Sequence, residues 1–142
     1  MTPTALCLIP FVDNPEHLRP SGPDQTVILV ADDEVLIRNI ARITLESDGY
    51  FVLEAGDGEE ALAISRQYPG VIHAVLSDVQ MPNLDGFRLR ERILAERPGI
   101  KVMLMSGTVE VSAENVAFLR KPFSPTLLKE RLRQLLISAA SV

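Results

Sequence analysis

Residues 27–34 read Val-Ile-Leu-Val-Ala-Asp-Asp-Glu, VILVADDE. The apolar run Val27–Val30 has no polar alternation, as expected for a strand covered on both faces. Two carboxylates then stand at its carboxyl end. Leu36, Ile40 and Ile43 follow at helical spacing, and Gly49 ends that helix. A strand buried on both faces and feeding a helix is the opening unit of a parallel sheet.

The rest of the chain repeats the unit. Tyr50 to Leu53 (YFVL) reads as a second strand. Asp57 is suited to cap the next helix, with Glu59 and Glu60 in its first turn, and Pro69-Gly70 stops it. Val71 to Leu76 (VIHAVL) reads as the third strand. Gly86 to Glu96 is the third helix, closed by Arg97-Pro98-Gly99. Ile100 to Met105 (IKVMLM) is the fourth strand and Ala117 to Leu119 a short fifth. Ser124-Pro125 then starts a last helix carried by Leu128, Leu132 and Leu135. Alternating strands and helices predict an α/β fold with a parallel sheet and right-handed crossovers.

Composition bounds the rest. The chain has 142 residues, one domain at ordinary sizes, with 46% hydrophobic and 23% charged residues. Fourteen Lys and Arg against nineteen Asp and Glu give a net charge of -5, a poor match for a nucleic-acid backbone. The single cysteine, Cys7, excludes an internal disulfide and a cysteine-based zinc site. No apolar run has the length of a membrane span. ALCLIPFV (Ala5–Val12) lacks the basic residues that precede a signal sequence, so the expectation is a cytoplasmic protein. Residues 1–25 hold five prolines and read as an irregular extension, with residues 26–142 as the folded domain.

In a parallel sheet the ligand sits outside the carboxyl ends of the strands. Asp32 and Asp33 follow strand one, Asp78 strand three, Ser106-Gly107 strand four and Lys121-Pro122 strand five. Singly, each has a plain explanation as a helix cap, turn residue or solvated charge. Together they bring three carboxylates, a hydroxyl and an amine to one rim. Clustered carboxylates repel, and a cation relieves them. All-oxygen ligands favour Mg²⁺ or Mn²⁺. Lys121 and Ser106 suit phosphoryl oxygens, and Asp78 is the natural nucleophile.

At these residues the sequence resembles the receiver domain of bacterial two-component response regulators. VILVADDE, VLSDVQMPNLDGF, VMLMSG and FLRKPF carry the resemblance, which covers Thr26 to about Ile137. It implies a flavodoxin-like, doubly wound five-stranded sheet in the order 2-1-3-4-5. It implies that Asp78 accepts a phosphoryl group from a histidine kinase or phosphotransfer protein. Carried over by position, Asp33, Asp78 and the Gln80 backbone carbonyl bind Mg²⁺, and Asp32 holds it through water. Lys121 contacts the phosphoryl group and its bond to Pro122 is cis. Ser106 is the switch hydroxyl, Phe118 the switch aromatic, and Gln80 and Thr108 tune phosphate loss. Met81-Pro82 and Gly86 match the turn after the acceptor.

One departure stands out. The interval from Ser106 to Lys121 is shorter than usual for the family, and TVEVSAENVA leaves room for only a short or irregular helix between the last two strands. That puts the family's usual output face in question.

The chain closes soon after its last helix, so the expectation is a stand-alone receiver. Its output is then contact with an unidentified downstream protein, a phosphorelay step or a phosphate sink; homodimer formation is left open. A phosphatase of the haloacid-dehalogenase type would need a second acid two positions after the nucleophile, where Gln80 stands. A phosphorylation-independent interaction module would have no need of an intact acidic pocket and lysine. The chain is therefore not expected to be an enzyme acting on a separate substrate. His73, within a strand, is given no role. Met103 and Met105 read as core, and Lys129, Arg131 and Arg133 as a solvated face.

Overall fold

A computed structural model describes residues 25–108 and 116–138. The order is β1 (Val27–Ala31), α1 (Val35–Ser47), β2 (Phe51–Ala55), α2 (Gly58–Gln67), β3 (Ala74–Asp78), α3 (Gly86–Glu96), β4 (Lys101–Ser106), β5 (Ala117–Arg120) and α4 (Pro125–Ser138). Every strand pair is parallel, in the order β2-β1-β3-β4-β5. This is the doubly wound, flavodoxin-like sheet the motifs imply. The N-terminal extension and most of the segment between β4 and β5 lie outside the described residues, as does the altered helix expected there.

Period-2 geometry divides β1 between two cores. Ile28 and Val30 point to one side, with Leu76, Met103 and Met105, against Ala41 and Leu45 of α1 and Leu128 and Leu132 of α4. Leu29 and Ala31 point to the other, with Val75 and Leu104, against Ile64 of α2 and Leu89 and Ile93 of α3. Both β1 and β3 are buried along their whole length. The core reading of Met103 and Met105 holds.

Local chemistry sets the helix starts. Asp57 caps α2 by accepting from the Glu60 N–H at 2.8 Å, and Asp85 caps α3 by accepting from the Arg88 N–H at 2.9 Å. Ser124 caps α4 by accepting from the Leu127 N–H at 3.0 Å. Gly49, with φ +92°, takes the left-handed turn after α1.

Three readings need correction. The apolar stripe of α1 faces outward: Leu36, Ile40 and Ile43 are 70%, 39% and 58% exposed, while Ala41, Thr44 and Leu45 are buried. The small Ala41 lets the helix approach the sheet closely. The third strand begins at Ala74, and Val71 is exposed; before it, Arg97 of the α3 end donates to the Tyr68 and Gly70 carbonyls and holds the chain in a turn. The second strand runs from Phe51 to Ala55, because Glu54 and Ala55 continue the pairing with Val30 and Ala31 of β1, and Arg38 and Arg42 of α1 take the Glu54 carboxylate.

Candidate phosphoryl-acceptor and metal site

Asp32 follows β1 directly, Asp78 ends β3, Ser106 ends β4 and Lys121 follows β5. Parallel pairing brings these ends to the same edge of the sheet. Asp32, Asp33 and Asp78 each present a carboxylate oxygen within 4.8 Å of the others'. Asp32 is fully buried, Asp78 nearly so and Asp33 exposed. The site is therefore open on the Asp33 side and closed beneath Asp32.

Lys121 is the cation of the cluster. Its Nζ lies 2.8 Å from Asp32 Oδ2, 3.1 Å from Glu34 Oε1 and 3.5 Å from Asp78 Oδ2. Burial alone would lower its pKa; the hydrogen bond and charge of Asp32, the charge of Asp78 and the bond to Glu34 outweigh that and raise it. The Asp78 pKa is raised too. Burial is the main cause, and neighbouring Asp32 adds to it; Lys121 and the Gln80 backbone N–H offset part of the rise.

One ammonium does not balance four carboxylates. Three oxygen donors so close, with neither histidine nor cysteine among them, fit a hard divalent ion such as Mg²⁺ or Mn²⁺. Asp33 is the natural direct ligand, being the carboxylate that faces outward.

Asp32 is fixed on several sides. Its Oδ1 accepts from the Glu34 N–H at 2.9 Å, and its carbonyl accepts from Arg38 Nη1 at 2.7 Å. Asp78 is braced from behind by Gly86, where an added Cβ would stand 2.3 Å from the Asp78 carbonyl oxygen. Gly58 of α2 meets Leu84 of the same loop as tightly.

Ser106 is buried beside the pocket, and its Oγ accepts from the Thr108 N–H at 3.1 Å. Its carbonyl accepts from the Lys121 N–H at 2.9 Å, coupling the two strand ends. The Lys121–Pro122 peptide is cis. Thr108 Oγ1 donates to Gln80 Oε1 at 2.9 Å, so the two positions expected to tune phosphate loss touch each other. Phe118 stands apart from this group, half-buried against the core on the α2–α3 side, with its carbonyl taken by Arg131 of α4.

The structure thus gathers Asp32, Asp33, Asp78, Gln80, Ser106, Thr108 and Lys121 at one edge and leaves Phe118 beside it. Glu34 and Arg38 join the site without a local sequence signal. Glu34 stands next to the acidic pair in VILVADDE, but its contact with Lys121 spans 87 positions. His73 lies at the opposite end of the sheet, where its Nδ1 accepts from the Val27 N–H at 3.0 Å, a packing role. The face of Lys129, Arg131 and Arg133 is not merely solvated: Arg133 pairs with Asp48 at 2.6 Å, and Arg131 holds β5.

Comparison with known proteins agrees with the geometry. A family model described as "Response regulator receiver domain" matches residues 28–133. A probable transcriptional regulator of Cyanophora paradoxa is 40% identical over 118 residues, covering 77% of this chain and 47% of that protein. The sensor kinase CckA of Brucella abortus is 37% identical over 118 residues, 78% of this chain and 12% of the kinase. The chain thus spans about half or less of these curated relatives. Among solved structures, the receiver domain of a hybrid histidine kinase CckA is 40% identical with a TM-score of 0.70, covering 78% of this chain and 98% of that one. A CheY-like receiver domain from Methanospirillum hungatei has a TM-score of 0.73 at 27% identity, covering 83% and 98%. With its acidic cluster, lysine and sheet order in place, the chain belongs to the response regulator receiver domain family.

Proposed function

We propose that this chain is a phosphorylation-controlled switch in which Asp78 accepts a phosphoryl group from a histidine kinase or phosphotransfer protein. One observation carries the reading. A nearly buried carboxylate, Asp78, stands 3.5 Å from the Lys121 ammonium and shares its pocket with two further carboxylates able to take a divalent cation.

In this reading an Asp78 carboxylate oxygen forms a bond to phosphorus. The bond from phosphorus to the donor's leaving atom breaks, and its electron pair departs with the donor. Lys121 gives a hydrogen bond to a phosphoryl oxygen and neutralises part of its charge. Asp33, Asp78 and the Gln80 backbone carbonyl would hold Mg²⁺ directly and Asp32 through water; bound there, the ion supplies charge neutralisation for the incoming phosphoryl oxygens. Ser106 then turns its hydroxyl to the phosphoryl group, and Phe118 repositions with it. Gln80 and Thr108 govern how easily water reaches the phosphorus. The chain turns over no separate substrate. Its output is a biased protein-binding surface, and a relay step or phosphate sink is the alternative. A cytoplasmic location suits such a partner; among the described residues no helix is long and apolar enough to cross a membrane.

The test is incubation with Mg²⁺ and acetyl phosphate followed by intact mass measurement. The expected result is one labile phosphoryl adduct on the native chain and none on Asp78→Asn. No adduct on the native chain from acetyl phosphate or from a phosphorylated kinase would overturn the reading. Release of phosphate from diverse monoesters would replace it with phosphatase activity.

A further inference from the structure

Glu34 occupies the cap position of α1 but does not cap it: its side chain makes no hydrogen bond to the first helical turn. Glutamate is a poor cap in any case. Its carboxylate turns instead to Lys121 Nζ, at 3.1 Å. Its backbone N–H meanwhile donates to Asp32 Oδ1, which fixes the residue beside the other main partner of the same ammonium.

An ammonium has three donors, and Lys121 has three carboxylate neighbours in Asp32, Glu34 and Asp78. A phosphoryl group on Asp78 takes over the donor now directed at that carboxylate but stands farther out, so the ammonium must move to meet it and one of its other contacts must lengthen. Asp32 is fully buried, and stripping its cation would leave an uncompensated charge in the interior. Asp78 carries the phosphoryl group itself. The Glu34 side chain is 62% exposed, so water readily takes over its solvation, and an exposed pair is weak. A glutamate carboxylate at this mouth also repels an anionic donor.

We propose that Glu34 is a displaceable brake on Lys121, a positioning residue that holds the ammonium in the unphosphorylated protein and is given up when a phosphoryl group reaches Asp78. The inference rests on the phosphoryl-acceptor reading above. Loss of the contact pre-pays the release of Lys121, so it favours the phosphorylated form. The effect is of the size expected for one partly exposed ion pair.

The experiment measures beryllofluoride binding at saturating Mg²⁺ by calorimetry, alongside the rate of adduct formation from acetyl phosphate. The full chain is compared with Glu34→Gln and Glu34→Asp. Gln removes the charge in the same shape; Asp keeps the charge but is one methylene too short to hold Lys121 as Glu34 does. Both variants are expected to bind beryllofluoride about three- to fivefold more tightly and to be modified faster by a similar factor. Unchanged affinity in Glu34→Gln overturns the brake. A gain in Glu34→Gln with wild-type behaviour in Glu34→Asp also overturns it, because mouth charge rather than the lysine contact would then be responsible. If the native chain takes neither beryllofluoride nor a phosphoryl group, the acceptor reading falls and the brake with it. If the native chain takes both and the variants match it, only the brake falls.

Discussion

The Lys121 ammonium is bonded to Asp32 at 2.8 Å, and Asp32 has no exposure to solvent. Lys121 therefore has a structural duty before any phosphoryl group arrives, since it compensates a buried negative charge. Lys121→Met removes that compensation. Breaking a buried pair from one side costs about 3 kcal/mol or more. Urea unfolding in EDTA is expected to show a loss of that order, and Mg²⁺ is expected to restore much of it by supplying another cation. Equal losses with and without Mg²⁺ would place the metal away from Asp32.

The raised pKa of Asp78 has a sign that can be worked out. Its folded value lies above the ordinary 3.8, chiefly through burial. Between the ordinary and the raised value the folded state holds more protons than the unfolded chain. Stability therefore falls as pH rises through that window, and the cost of the buried carboxylate persists at neutral pH. Asp78→Asn lacks the charge. In EDTA it should gain stability over the native chain on going from acid to neutral pH, with the difference growing through that window. Thermal unfolding midpoints between about pH 4 and 7 check this, and a difference independent of pH would count against the burial argument.

Much of this site was legible before the structure because parallel topology converts sequence order into place. Once VILV, VIHAVL and IKVMLM read as parallel strands, Asp32, Asp78 and Ser106 had to share an edge. Other features had no local signature. The stripe Leu36, Ile40, Ile43 has the right helical period, but period does not say which stripe packs; the close approach of α1 to the sheet selected Ala41 and Leu45. Likewise VIHAVL is apolar on both sides of His73, so hydropathy cannot place Val71 outside the strand pairing. Glu34 and Arg38 look like ordinary helix-start charges until Lys121 and the Asp32 carbonyl are brought beside them.

Asp33 is the exposed member of the carboxylate cluster and has no lysine contact within ion-pair distance among those described. Removing it takes away a proposed metal ligand while leaving the buried Asp32–Lys121 pair intact. Asp33→Ala is therefore expected to weaken Mg²⁺ binding by about tenfold or more with little change in metal-free stability. Calorimetric titration and urea unfolding in EDTA measure the two separately, and retained Mg²⁺ affinity would remove Asp33 from the site.

Thr108 Oγ1 engages the Gln80 carboxamide oxygen at 2.9 Å. While bonded, that oxygen is partly committed and less able to orient a water toward Asp78. Thr108→Val keeps the shape and deletes the donor. The expected outcome is a shorter phosphoryl lifetime, by about twofold or more, followed as loss of adduct mass after donor removal. A lifetime unchanged in Thr108→Val would mean that the contact does not restrain Gln80.

Gly86 is where packing and chemistry meet most directly. A methyl group there would stand 2.3 Å from the Asp78 carbonyl oxygen and 2.9 Å from the Val79 Cα, both backbone atoms that cannot swing aside. Gly86→Ala must therefore push α3 away from the end of β3, at a cost of about 1–3 kcal/mol. The shift falls on the backbone that carries Asp78, so adduct formation from acetyl phosphate should slow as well. Gly49→Ala is the matched comparison. Gly49 has φ +92° but open space around its missing Cβ, and it lies at the far end of α1 from the pocket. It should cost about 1 kcal/mol through backbone strain alone and leave phosphorylation unchanged. If both glycine variants lose stability yet both are phosphorylated at the native rate, the contact between Gly86 and the Asp78 carbonyl braces the fold and not the acceptor.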